Sequence, residues 1–117
     1  MTVNQAIERA SLLYPSSVEQ NDLYAWLSEL EARICTEIHG TDLDAIISDK
    51  DGERVLTAPD AYAELYPLYL AMKTDLANGD VARYNNHASV FNSAYSDYAN
   101  YCNRSIDRYG KTFYTLP

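Results

Sequence analysis

A mainly α, four-helix bundle-like domain is predicted by three observations. Apolar residues recur at steps of three and four along four separate stretches. Capping residues, glycines or prolines bound these stretches, and the helical period is lost over residues 41–59 and in the tail 111–117. With 117 residues there is room for one core, so a single helical domain over 1–110 and an extended C-terminal tail over 111–117 are expected.

Thr2 is placed to cap a first helix in which Val3, Ile7, Ala10 and Tyr14 follow one face, with Pro15 as its stop. Ser17 and Gln20 have the spacing of a capping box for a second helix. Its face is Leu23, Leu27, Leu30, Ile34 and Ile38, with Trp26 beside them and Gly40 closing it. A short turn between the two makes them an antiparallel pair. Glu29 and Glu31 fall on different sides of this second helix and read as solvated.

Between helices 2 and 3, Ile46, Ile47, Val55 and Leu56 flank Asp49-Lys50-Asp51-Gly52, the pattern of a small hairpin or a loop. Asp49, Asp51 and Gly52 faintly resemble a calcium loop, but the remaining ligands are missing and a plain turn is favoured. Asp60 is placed to cap a third helix carrying Tyr62, Leu65, Tyr69, Met72 and Leu76. Pro67 should kink that helix or split off its first turns. Asn78-Gly79-Asp80 supplies a left-handed stop and then a new cap. The last helix, expected over Asp80 to Tyr109, carries Tyr84, Ala88, Phe91, Tyr95, Tyr98, Cys102 and Tyr109 on one stripe. It should form an antiparallel hairpin with the third helix. In the tail, Phe113, Tyr114 and Leu116 are three apolar side chains that gain only by docking on a neighbour.

Eleven tyrosines against two phenylalanines suggest half-buried rings whose hydroxyls reach water or a polar partner. The net charge of −8 argues against general binding of nucleic acid through its phosphates. That charge is uneven: residues 1–60 hold twelve Asp/Glu and four Lys/Arg, whereas 61–117 hold five of each. The densest acidic run, Glu37 to Glu53, includes Asp42, Asp44, Asp49 and Asp51. Cys35 and Cys102 belong to no paired motif, so no disulfide framework is indicated and folding in a reducing cytosol is expected. No stretch has the length and apolarity of a membrane span, and no signal-peptide pattern opens the chain.

Catalytic chemistry is thinly represented, and no enzyme is expected. Cys35 and His39, four apart with Asp42 and Asp44 nearby, are the one metal foothold, and no second ligand pair closes a tetrahedral site. Phosphate loops, nucleophile elbows and cofactor motifs are missing. No cofactor is expected.

Several stretches taken together resemble a family of short proteins encoded by bacteriophages and prophages beside capsid genes, the head-tail connector or adaptor proteins. These are Thr2-Val3-Asn4-Gln5-Ala6-Ile7; Trp26-Leu27-Ser28-Glu29-Leu30-Glu31; Ala58-Pro59 leading to Tyr62, Glu64, Leu65 and Tyr66; and Asn78-Gly79-Asp80 followed by Arg83-Tyr84-Asn85-Asn86, Phe91-Asn92, Tyr95 and Tyr98. Their order covers most of residues 1–104. Pro67 and the stretch from Thr41 to Leu56 depart from the pattern.

The resemblance implies a virion structural protein made in the host cytoplasm. About twelve copies would form a ring on the portal in the viral neck, extending the DNA channel to the tail and meeting a further neck or tail-connector protein. DNA would pass through without specific binding, and no membrane is involved. Subunit or portal contact is then expected at Tyr84, Asn85, Asn86, Phe113, Tyr114 and Leu116. Asp42, Asp44, Asp49, Asp51 and Glu53 would face the channel and repel DNA from its wall. The alternative is a small acidic regulatory or inhibitor module that occupies a basic surface of a partner.

Overall fold

The first backbone N–H groups of a helix need acceptors from outside it, and here a distant loop supplies them. The computed structural model describes residues 1–41 and 47–110, with side chains through residue 104. Its helices are α1 (Val3–Leu13), α2 (Gln20–Ile34), α3 (Leu65–Ala77) and α4 (Val81–Gly110). At the start of α1, Val3 N–H donates to the Arg54 carbonyl at 3.0 Å and Asn4 N–H to the Gly52 carbonyl at 2.9 Å. Gln5 N–H donates to the Thr2 hydroxyl, and the Gln5 side chain accepts from Thr2 N–H, completing a capping box.

This pairing decides between the hairpin and the loop expected before α3. Residues 52–56 lie along the chain's first four residues, with an isolated antiparallel bridge between Thr2 and Val55 and with Leu56 N–H donating to the Met1 carbonyl. They do not fold back on residue 47, and no strand occurs among the described residues. The hairpin reading is therefore corrected to a loop that closes over the start of α1. Ile46, on the proposed hairpin's first arm, lies outside the described residues. Asp49–Asp51 form a single 3₁₀ turn, and Gly52 is buried so closely against Asn4 that a Cβ would press on that side chain.

The second helix starts differently from expectation. Ser17 and Gln20 form no capping box, because Gln20 is already helical and Glu19 precedes it without a side-chain cap. At its far end the helix widens into a π turn over Cys35–His39, closed by Gly40 at φ 66°.

A separate 3₁₀ turn, Asp60–Tyr62, precedes α3, as one of the two expectations for Pro67 required. Pro67 itself is the third residue of α3, inside the first turn, where its missing N–H is not needed by the helix. Leu65 to Ala71 are all buried. A helix apolar on every side belongs in the middle, and α1, α2 and α4 all pack against α3. Leu76, predicted on the buried stripe, is exposed because the last turn of α3 faces Thr74 and Asp75 inward, 8% and 5% exposed, and Leu76 outward.

The turn from α3 to α4 carries the expected signature. Gly79 takes φ 72°, where a side chain would be strained. Asp80 N–H donates to the Asp75 carbonyl and Gly79 N–H to that of Leu76, the paired bonds of a Schellman ending. Asp80 then caps α4 through its carboxylate and Arg83 N–H, 3.1 Å.

At 30 residues α4 is about 45 Å long, against about 20 Å for the 13 of α3. Its Tyr98 and Tyr101 rings meet Tyr62, ahead of α3, at 5.6 and 4.9 Å between centroids. The helix after Cys102 thus continues past the N-terminal end of α3. No helix among the described residues is long and apolar enough to cross a membrane.

Candidate functional site

The tyrosine excess and the acidic excess meet along the packed faces of the helices, at one buried glutamate and two exposed ones. Three glutamates on α2 and its π turn accept hydrogen bonds from phenols on the two later helices: Glu31 from Tyr66 at 2.6 Å, Glu29 from Tyr69 at 3.1 Å, and Glu37 from Tyr95 at 2.8 Å. Each ring is packed while its hydroxyl reaches a carboxylate. Burial, then the Glu29 carboxylate, pushes the Tyr69 phenol up to about 12. Burial and then Glu37 do the same for Tyr95, also to about 12. Glu37, exposed, is held below the ordinary carboxylate range by the Tyr95 hydroxyl first and Arg33 second. The Arg33 guanidinium lies 4.4 Å from the Tyr95 ring centroid.

Glu31 is the correction among these. Expected to be solvated, it is 1% exposed. Besides Tyr66 it accepts from Thr57 N–H at 3.0 Å and the Thr57 hydroxyl at 2.9 Å, and Ala58 N–H donates back to the Tyr66 oxygen. Burial, reinforced by the neighbouring carboxylate, raises the Tyr66 phenol. The sequence carried the signal: Glu31 is four after Leu27 and three before Ile34, on the buried stripe of α2.

The proposed metal foothold takes another form. Cys35 and Cys102 are buried free thiols, and His39 Nε2 is 2.8 Å from the Tyr98 hydroxyl. Burial first, then Cys102, raises the Tyr98 phenol. Among the described residues no group of three His, Cys, Asp or Glu could hold a metal ion. In the 3₁₀ turn, Asp51 accepts from Ser48 N–H at 2.8 Å and from its hydroxyl. Asp51 is thus spent on the turn. Asp49 and Glu53 are exposed, while Asp42 and Asp44 lie outside the described residues.

One end of the bundle, where α1 ends, α3 ends and α4 begins, carries part of the exposed apolar surface; Val55 and Val90, 70% and 52% exposed, carry more of it. The Tyr14 ring meets His87 edge-on at 4.9 Å, which places the end of α1 beside the first turns of α4. His87 Nδ1 bonds Asp75 Oδ2, and Arg83 Nε lies 3.8 Å from Asp75 Oδ1. The Asp75 side chain is 7% exposed, so this cluster ties α3 to α4 with a nearly buried carboxylate. An Asp–His couple is part of a nucleophilic triad, but no described hydroxyl or thiol hydrogen-bonds His87 Nε2. Sequence reasoning overlooked the pair, although His87 sits midway between Tyr84 and Phe91 on the stripe of α4.

Beside that cluster Leu76 and Val81 face outward, 56% and 69% exposed, and Leu12, in the last turn of α1, is 74% exposed. Leu76, Gly79, Val81 and Tyr84 line a shallow depression of about 40 Å³ beside Asp75 and Asp80. Tyr84 is half-buried there, and Asn85 and Asn86 are exposed on the next positions of α4. Phe113, Tyr114 and Leu116 lie outside the described residues. The tyrosines are therefore not the main exposed apolar surface: of the described side chains only Tyr101 is an exposed one, and aliphatics supply the rest.

No family model, curated protein or solved structure matches this chain.

Proposed function

We propose that this protein is a structural assembly subunit without catalytic chemistry, a head-tail adaptor that rings the portal of a tailed phage and extends its DNA channel. The observation that carries this reading is the apolar depression at the turn from α3 to α4, where Leu76 and Val81 are exposed beside the half-buried Tyr84. Exposed aliphatics gathered at one place mark a surface meant for a partner. Tyr84-Asn85-Asn86, one of the motifs resembling the connector family, falls at this same end, with polar amides beside apolar side chains as at a subunit contact. Asp49 and Glu53 are the described acids of the loop whose carboxylates stay exposed. Facing a channel, they would repel passing DNA.

The test is native mass spectrometry and electron microscopy of the purified protein with a portal protein from the same genome. A ring of copies seated on the portal is expected. A protein that neither binds the portal nor assembles on it removes this reading and favours the acidic regulatory module.

A further inference from the structure

We infer that the depression formed by Leu76, Gly79, Val81 and Tyr84 is the receptor for the 113–116 segment of a second copy of this chain. The inference rests on the assembly reading above and names its contact. Reach decides which copy supplies the segment. From Tyr84 to Gly110 α4 rises about 39 Å at 1.5 Å per residue. Leu116 is six residues past Gly110 and can lie at most about 21 Å from it, even fully extended. A chain's own Phe113, Tyr114 and Leu116 therefore cannot enter its own depression, whereas those of a neighbour whose α4 ends nearby can.

Size suggests how the segment sits. The depression holds about 40 Å³, well short of the roughly 150 Å³ of an apolar cavity that takes up benzene. The branched end of Leu116 suits it, and the rings of Phe113 and Tyr114 would lie across the rim against Leu76 and Val81, which are 56% and 69% exposed. Donor and receptor sit at opposite ends of α4, so each copy presents two different surfaces. Repeated in one direction, this contact is heterologous and closes a ring or runs on as a filament; exchanged between two antiparallel copies, it closes a dimer.

The full-length chain tests this with photoreactive benzoyl-phenylalanine in place of Tyr114, in a mixture of light and heavy isotope-labelled copies. Cross-links between chains, landing on residues 76–84, are expected. Leu76→Asp and Val81→Asp should each reduce them by about tenfold or more, the loss expected from placing a charge in an apolar contact. Both positions are exposed, so unchanged circular dichroism will show these variants folded. Cross-links confined to one chain, or falling near Val55 and Tyr101, overturn the inference, as does a monomer without cross-links whether alone or with portal. A closed dimer carrying the 76–84 cross-link keeps the inference and removes the ring. A ring on the portal without that cross-link does the reverse.

Discussion

Tyr66 on α3 donates its hydroxyl to Glu31 on α2 at 2.6 Å while accepting from Ala58 N–H at 2.9 Å. One phenol thus joins two helices and the loop between them around a carboxylate that no cation among the described residues neutralises within salt-bridge range. Tyr66→Phe would leave Ala58 N–H without its acceptor and Glu31 with two donors instead of three. A loss of about 2 kcal/mol is expected, the usual cost of unpairing buried polar groups. Urea denaturation checks it: the midpoint should fall with the slope unchanged.

Asp75 and His87 make a second tie, between α3 and α4. His87→Ala leaves a nearly buried carboxylate with only Arg83 at 3.8 Å. This should destabilise by about 2 kcal/mol, whereas Asp75→Asn, which keeps an acceptor without the charge, should cost less. Thermal melts of the two variants side by side test the order. A larger loss for Asp75→Asn would show that the ion pair, and not the buried charge, governs this site.

Alkaline titration should single out four phenols, since Tyr66 and Tyr98 are raised as well as Tyr69 and Tyr95. Tyr69 and Tyr95 are pushed up to about 12, whereas an unfolded tyrosine ionises near 10. Their folded forms hold the proton more tightly, so the stability this gives is fully present below about pH 10 and is lost as pH rises toward about 12. Phenolate absorbance should show late-titrating tyrosines in the folded protein that merge with the others in denaturant. A single transition near 10 in both states would contradict the Tyr–Glu pairing.

At the acid side Glu37 reports on the same contact. Its carboxyl is held down by the Tyr95 hydroxyl and then by Arg33, so its contribution is present above the ordinary carboxylate range and lost as pH falls through its depressed value. Tyr95→Phe should move Glu37 up toward that range, followed by carboxyl-detected nuclear magnetic resonance. The stability change should be small, since the group is exposed and screened by solvent.

Gly79 should tolerate little. At φ 72° an alanine would be strained, and Gly79→Ala should cost about 1 kcal/mol by differential scanning calorimetry. Open space around the position makes backbone strain the whole of that cost.

Local chemistry in the sequence was enough to place the four helices, though not the starts of α2 and α3. Thr2, Gly40, and Asn78-Gly79-Asp80 mark ends that each depend on a few adjacent residues, and the stripes of α1, α2 and α4 depend only on helical period. The tyrosine excess was legible in kind, as rings with hydroxyls seeking partners, but not in address. A carboxylate and a phenol thirty-five positions apart, as in Glu31 and Tyr66, carry no mutual signal in the chain.

Tertiary packing alone decided three further things. It put α3 at the centre, because a helix apolar on all sides has no stripe from which to read its neighbours. It turned residues 52–56 onto the start of α1, because unpaired N–H groups there needed acceptors that period cannot predict. And it left Leu76 and Val81 outside at the turn from α3 to α4, because the last turn of α3 is held by Thr74 and Asp75 on its inner side and Leu76 falls on the outer one.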